Sequence, residues 1–272
     1  MLNEAITAAR SIVISNYENR RRTYSMAQVA LTKRYSGSAL GVAWAVLKPA
    51  IYIGAYWFAI SIGMRGANNM VGAPYILWLI PGNLAWFFVS DSMNHAGNAI
   101  RTNSQFVTKL SYPAETLPVS EVLSYFLVHL VMMGLAVIVL LVSGYGLALT
   151  AIQLPYYILC GLALSLVMAT LFSALTAISK DIHHLIGSVM SLMFWVTPVL
   201  WSADRLTSGF RWVIYANPIT YVISGYRDSL VLHRWITGSL AYTGYFWGLL
   251  AVLTLVASLV FSRLQPEFAD VL

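Results

Sequence analysis

Apolar residues gather along the chain into six stretches that are separated by short polar segments. A helix rises about 1.5 Å per residue, so about 20 residues cross the hydrocarbon core of a membrane. The pattern therefore predicts an all-α integral membrane protein with six transmembrane helices. These helices are predicted at residues 41–63, 75–93, 117–143, 154–178, 185–201 and 242–261. The fifth stretch is short for a span.

The first forty residues contain no apolar core of a signal peptide, but they show helical spacing of apolar positions. Ile6, Ala9, Ile12 and Val13 recur at intervals that place them on one face. We predict that residues 1–40 form an amphipathic helix region in the membrane interface. Residues 41–272 would then form the transmembrane domain.

The segment 202–241 follows a span, yet it is rich in aromatic and aliphatic residues and is interrupted by Pro218. Two short amphipathic helices that dip into the outer leaflet would fit this pattern. Backbone that enters a membrane without crossing it needs cover from protein or water. We therefore expect these re-entrant helices to pack against the bundle near an outer opening.

Composition agrees with residence in a membrane. Of the 272 residues, 59% are hydrophobic and 10% are charged, and the mean hydropathy is +0.72. A soluble domain carries about 25% charged residues. These values exclude an ordinary soluble enzyme and a nucleic-acid-binding domain, so no nucleic acid partner is expected.

The placement of Lys and Arg predicts the orientation. With the N-terminus inside, the cytoplasmic segments carry ten of these residues and the outer segments five, which are Arg65, Arg205, Arg211, Arg227 and Arg234. Cytoplasmic loops of membrane proteins are enriched in Lys and Arg. Both termini are therefore predicted to be cytoplasmic.

The chain shows no catalytic constellation. None of its four lysines follows a glycine, so a GxxxxGK phosphate loop is absent, and HExxH, GxSxG and CxxC are absent too. With one cysteine, Cys160, and an adjacent pair, His183 and His184, that diverges on a helix, no metal site is predicted. Uphill transport would need a partner ATPase or an ion gradient. His129 alone lies near mid-membrane, either as a neutral hydrogen-bonded histidine or as a proton relay.

A polar segment at residues 98–118 joins the second and third spans. Residues 99–110 could form one short helix across the inner surface. Such a stretch is either a solvated loop or a docking helix that transmits force from a cytoplasmic partner.

At this segment the sequence resembles the permease subunits of bacterial ABC transporters that export O-antigen, teichoic acid or capsular polysaccharide. Lys109 to Pro118 is similar to the K-x-x-x-P-x-x-x-L-P signature of that family. Lys180 to His184 resembles its R-D-[IV]-x-H, with Lys in place of Arg. Further similar positions are Leu40, Gly41, Trp44, Leu47, Pro49, Thr197, Pro198, Asn217, Pro218, Tyr226, Arg227, Pro266, Phe268, Ala269 and Asp270.

The resemblance implies half of an ATP-driven transporter in the bacterial inner (plasma) membrane. A homodimer of this chain would form the path, and two copies of a cytoplasmic ATPase subunit would bind ATP and Mg, so this chain would need no cofactor and would not be an enzyme. The substrate would be a lipid-linked polysaccharide, in contact with membrane lipid. The residues expected to couple to the ATPase are Arg101, Asn103, Gln105, Phe106, Lys109, Lys180, Asp181 and His183.

Aromatic residues make up 13% of the chain, and several lie in spans one and five. Sugar rings stack their C–H faces on aromatic rings, and tyrosine hydroxyls bond sugar hydroxyls. The predicted substrate path comprises Trp44, Tyr52, Tyr56, Trp57, Phe194 and Trp195. The alternative for these residues is an aromatic belt with core packing.

Five basic residues of the N-terminal region are candidates for an inner gate that attracts a pyrophosphate-linked lipid head. They are Arg20, Arg21, Arg22, Lys33 and Arg34. The alternative is a membrane-surface anchor, since the bias toward cytoplasmic positive charge accounts for them as well. Other functions left open are a drug or lipid exporter, a membrane-embedded transferase and an ion-coupled carrier.

Overall fold

The computed structural model describes residues 2–63, 69–70, 73–110, 112–203 and 208–272, which are almost entirely helical. Two of the basic residues predicted to be outside, Arg65 and Arg205, lie outside the described residues. The helices are α1 (Leu2–Glu18), α2 (Arg20–Tyr35), α3 (Trp44–Phe58), α4 (Tyr75–Asp91), α5 (Ala99–Thr102), α6 (Ser104–Leu110), α7 (Thr116–Val142), α8 (Leu154–Ile178), α9 (Lys180–Val196), α10 (Ser208–Ala216), α11 (Pro218–Leu230), α12 (Leu240–Leu264) and α13 (Phe268–Val271). A short antiparallel pair, β1 (Asn69–Met70) and β2 (Ala73–Pro74), precedes α4.

Four helical segments within the described residues are long and apolar enough to cross a membrane. They are Gly41–Gly63, Thr116–Val142, Leu149–Ile178 and Leu240–Glu267. They coincide, within a few residues, with the first, third, fourth and sixth predicted spans. In hydrocarbon every backbone polar group must be satisfied within the protein, which is why such stretches fold as helices. The chain is thus a helical integral membrane protein.

The second predicted span corresponds to α4, which lies at the centre of the bundle. It packs against α3, α7, α8 and α11 and continues through a π-helical turn, Ser92–Ala96. Its buried side chains extend around the whole helix and include Trp78, Leu79 and Asn83. A helix that is apolar around its whole circumference is typical of a buried position.

The fifth predicted span is displaced toward the N-terminus. It was expected at residues 185–201, but α9 begins at Lys180 and ends at Val196. Thr197 is extended because the ring of Pro198 excludes the helical conformation before it. The Thr-Pro pair therefore ends this helix instead of lying within it.

The N-terminal region contains two helices, where one amphipathic region was expected. The break lies at Asn19, and the apolar residues of α2 do not follow one face. The expectation of amphipathy is therefore wrong for α2. Its buried residues are the small Thr23 and Ala27, and small residues allow it to lie close along α7. The preceding helix, α1, packs against α12.

The single helix predicted for residues 99–110 is divided into α5 and α6 at Asn103. The amide nitrogen Nδ2 of Asn103 donates to the carbonyl of Ala99 at 2.8 Å, which closes the end of α5. A buried apolar cluster holds this region to the C-terminal tail. It contains Ile100, Leu117, Phe261 and Phe268, and the two phenylalanine rings meet edge to face at 5.6 Å.

The segment after α9 forms two short helices, and the predicted break at Pro218 is confirmed. Pro218 is the first residue of α11, where a missing N–H costs nothing. The side chain of Asn217 caps this helix by accepting from the N–H of Ile219 at 3.0 Å.

Arg227 on α11 is buried, and it joins three elements. Its guanidinium donates to the carbonyl of Trp78 at 3.2 Å and to the carbonyls of Pro198 and Val199. Its carbon Cζ lies 3.4 Å from the centroid of the Trp78 ring. A side chain at Gly82 would overlap the guanidinium, so the glycine makes room for it. The arginine thus fixes α11 to α4 and to the turn after α9.

We predict that Arg227→Ala and Arg227→Lys both lower the midpoint of thermal unfolding in detergent, by about 5 °C or more. The lysine variant keeps the charge but loses the planar fork that reaches three carbonyls. Circular dichroism at increasing temperature measures the effect.

The matched controls are Arg10→Ala and Arg10→Lys, because Arg10 is exposed on α1. The midpoint of thermal unfolding of these variants should equal that of the parent protein. An Arg227→Lys protein as stable as the parent would show that the charge, not the fork, matters.

Candidate functional site

A cavity of about 980 Å³ lies among α2, α3, α4 and α7, at the end of the bundle that carries the N-terminal helices. Charged side chains line it on several sides. They are Lys33, Arg34, Lys48, Asp91 and Glu121. His95, His129 and His183 line it as well. We call this the inner cavity.

Arg34 is fixed in the wall of the inner cavity. Its Nη2 lies 2.7 Å from Oε1 of Glu121 and 2.7 Å from Oγ of Ser124. Its carbon Cζ stands 3.4 Å from the centroid of the Tyr125 ring. All three partners belong to α7, so Arg34 clamps α2 to the third span.

The five predicted gate residues form two groups. Lys33 and Arg34 line the inner cavity, whereas Arg20, Arg21 and Arg22 lie at the opposite end of α2. Fourteen residues of helix separate Arg20 from Arg34, which is about 21 Å. The three N-terminal arginines are exposed and surround a shallow surface depression with Glu18 and Asn19.

An aromatic groove of about 400 Å³ adjoins the inner cavity. Lys48 and Asp91 line both spaces, so they stand at the junction. Four predicted path residues meet in the groove, which are Tyr52, Tyr56, Phe194 and Trp195. Trp44 lines the inner cavity instead, and Trp57 lines neither space.

The rings of the groove form a connected series. The centroids of Tyr52 and Tyr56 are 6.2 Å apart, and Tyr56 lies 5.3 Å from Phe194. Two rings of α4 complete the series: Phe87 lies 6.0 Å from Tyr52, and Trp86 lies 5.5 Å from Phe194. Sequence reasoning missed both of these rings and Lys48. The i, i+4 spacing of Lys48 and Tyr52 was the available signal.

The predicted coupling residues divide into internal and exposed groups. Nη1 of Arg101 donates to the carbonyls of Thr176 and Ala177 at 3.2 and 3.3 Å, at the C-terminal end of α8, where a cation is favourable. Arg101 therefore joins α5 to α8, whereas the side chain of Asn103 bonds within α5. Gln105, Lys109, Lys180 and Asp181 are exposed. Asn103, Gln105, Phe106 and His183 line the inner cavity.

His129 is buried within the bundle. One ring nitrogen, Nε2, lies 2.8 Å from Oη of Tyr226, and the ring stacks on Phe88 at 4.6 Å. The sequence left two interpretations of His129, a hydrogen-bonded histidine and a proton relay. These contacts are those of a hydrogen-bonded histidine.

Comparison with known proteins places the chain among transporters. Residues 21–231 match the family model described as "ABC-2 type transporter". Two relatives from Klebsiella pneumoniae, both called O-antigen export system permease protein RfbA, are 28% and 26% identical over 248 and 247 residues. Each comparison covers 89% of this chain and 91% of the relative.

A relative with the same name from Myxococcus xanthus is 26% identical over 259 residues, which are 93% of this chain and 96% of the relative. The matched range begins at the second residue of α2 and ends just after α11. It includes the linings of the inner cavity and the aromatic groove. The chain therefore belongs to the ABC-2 type transporter family.

Proposed function

We propose that this chain is the permease of an exporter that moves a lipid-linked polysaccharide across the bacterial inner membrane. The observation that carries the proposal is the aromatic groove that adjoins the charged inner cavity at Lys48 and Asp91. A charged chamber suits an anionic lipid head, and aromatic rings suit sugar faces. The names of the relatives from Klebsiella and Myxococcus support the same substrate class.

The transporter would contain two copies of this chain and two copies of a separate ATPase subunit, which would hold ATP and Mg. The absence of a phosphate-binding motif from the sequence supports this division. Exposed Gln105, Lys109, Lys180 and Asp181 would contact the ATPase. Arg101, Asn103, Phe106 and His183 would carry the movement inward to the bundle and the inner cavity.

We further propose six spans, with both termini in the cytoplasm. α4 and its π turn together cover Tyr75 to Ala96, about 33 Å of helix, and α9 would provide a short fifth crossing of about 25 Å. α10 and α11 would form a re-entrant pair on the outer side, because the chain breaks between them at Pro218 and Arg227 holds α11 against the bundle.

The topology predicts which sites a membrane-impermeant maleimide reaches in intact cells. In a Cys160→Ser background, Leu147→Cys and Thr237→Cys should be labelled from outside, and Thr108→Cys should be labelled only after permeabilisation. All three positions are exposed in the structure. Labelling of Thr108→Cys in intact cells would contradict the orientation. If only one of Leu147→Cys and Thr237→Cys were labelled in intact cells, the two positions would lie on opposite sides of the membrane, which would contradict the re-entrant pair.

The aromatic groove predicts a loss of export in the double variant Tyr52→Ala with Tyr56→Ala. Each lost stacking contact costs about 0.5–1.5 kcal/mol. When the variant is expressed in a strain that lacks the gene, export should therefore be about tenfold lower than with the parent protein. Surface polysaccharide is measured by immunoblot, together with membrane insertion and co-purification of the ATPase, both of which should persist.

The double variant Tyr52→Phe with Tyr56→Phe keeps the rings and should retain most export. Phe58→Ala is the matched control, because Phe58 is an exposed ring on α3 that lines neither space. Normal export by the double alanine variant would show that Tyr52 and Tyr56 do not line the substrate path.

The inner cavity predicts that its lysines matter more than the surface arginines. Lys33→Gln with Lys48→Gln should reduce export about tenfold or more, because hydrogen bonds to charged groups are worth about 1.5–3 kcal/mol each. The triple variant Arg20→Gln, Arg21→Gln and Arg22→Gln should retain more export. The same immunoblot measures both, and the opposite order would assign the lipid head to the N-terminal end of α2.

A further inference from the structure

A separate cavity of about 540 Å³ lies at the opposite end of the bundle from the inner cavity. Its walls come from α4, α8, α11, α12 and the turns beside α10 and α11. None of its lining residues lines the inner cavity or the aromatic groove. Its volume falls within the range of small-molecule sites, about 300–1,000 Å³. We call it the outer pocket.

Aromatic side chains dominate the lining of the outer pocket. They are Trp78, Tyr157, Tyr215, Tyr221, Trp235 and Tyr242. The centroid of Tyr221 lies 5.0 Å from that of Tyr242 and 5.4 Å from that of Tyr157. A side chain at Gly225 would overlap the Tyr157 ring, so the glycine lets this ring press against α11. Trp235 is half-exposed at the rim.

One hydroxyl in the outer pocket is unsatisfied. Oη of Tyr242 is buried and has no hydrogen-bond partner among the described residues. A buried polar atom without a partner costs about 1–3 kcal/mol. One helical turn away, Oη of Tyr245 donates to the carbonyl of Ala216 at 2.9 Å. A ligand hydroxyl in the outer pocket would supply the partner that Tyr242 lacks.

The loop that carries Trp235 is firmly held, so this wall of the pocket is formed in advance. Nε2 of Gln153 donates to the carbonyl of Arg234 at 2.6 Å, and Oε1 of Gln153 accepts from the N–H of Ile236 at 3.0 Å. Oη of Tyr145 donates to the carbonyl of Val231 at 2.8 Å. A site that needs little ordering loses less affinity to entropy.

The charges around the outer pocket favour a neutral ligand. The guanidinium of Arg227 is committed to three backbone carbonyls. The other charged lining residues, Asp228 and Arg234, have opposite signs. Rings and hydroxyls together match a sugar, whose C–H faces stack and whose hydroxyls both donate and accept.

We infer that the outer pocket binds a short neutral saccharide segment, with one such site in each chain. This inference rests on the proposed function, because an exported glycan is the saccharide that would reach this end of the bundle. Trp235, half-exposed at the rim, would supply the stacking face, and the hydroxyl of Tyr242 would bond a sugar hydroxyl. The site would hold the emerging polymer after it leaves the aromatic groove.

Saturation-transfer NMR on the full chain in nanodiscs tests the site. The probes are neutral tri- to pentasaccharides cut from the surface polysaccharide of the source strain. The parent should bind them, Tyr242→Phe should bind about three- to tenfold more weakly, and Trp235→Ala about tenfold more weakly. Tyr245→Phe and Trp212→Ala should bind as the parent does, since neither residue lines the pocket.

Two outcomes would overturn the site: no saturation transfer from the parent protein to the saccharides, or equal transfer from all five proteins. Displacement of the saccharides by glycerol phosphate would instead assign the pocket to a lipid headgroup. Failure of the proposed function is a separate result, because surface polysaccharide would then persist in a strain that lacks the gene. If the gene restores the polysaccharide but the saccharides do not bind, only the outer pocket is refuted.

Discussion

The fold depends on how Arg227 satisfies backbone carbonyls where a helix stops. Pro198 ends α9 and is followed by an irregular turn whose residues Val199 and Leu200 are buried. Non-helical backbone at membrane depth is tolerated only where protein or water supplies hydrogen bonds. Arg227 donates hydrogen bonds to two carbonyls of this turn. Oη of Tyr75 donates to the carbonyl of Leu200 at 2.9 Å. These donors satisfy the carbonyls of the turn, and through Arg227 they also join the turn to α11.

This arrangement changes the meaning of the scarce charges. Arg227 was counted as an outer loop charge, but it is buried in protein and carries no information on orientation. Arg34 and Arg101 were counted among the cytoplasmic charges, and they also bind protein atoms. The basic residues thus serve three purposes, which are packing, orientation and lining of a cavity. The third kind, Lys33 and Lys48 among them, is the one that the proposed function assigns to an anionic substrate.

Much of the architecture was predictable because apolar length and helix-breaking residues act locally. The spans in α3, α7, α8 and α12 and the break at Pro218 follow from such local signals. The end of α9 did not, because the apolar run continues past Pro198 into a buried turn. The division at Asn103 was also missed, since it depends on one side chain that bonds to its own helix.

The candidate site was less predictable because it depends on which rings from distant spans meet. Tyr52 and Tyr56 share a face by their spacing, but Trp86, Phe87 and Lys48 join them only through the packing of α3 on α4. In the isolated chain, Trp57, with much of its surface exposed, lies outside the groove. The periodicity of one helix cannot distinguish it from its neighbours.

The exposure of α3 bears on how the groove could enclose a polymer. Few residues of the first span are buried, whereas nearly half of the span in α8 is. Tyr52 and Trp195 line the groove yet remain largely exposed, so one chain leaves the groove open on that side. A sugar chain has polar hydroxyls around its circumference and would not be stable against lipid tails. The proposed path therefore needs a cover on this open side, which the proposed second copy of the chain would supply.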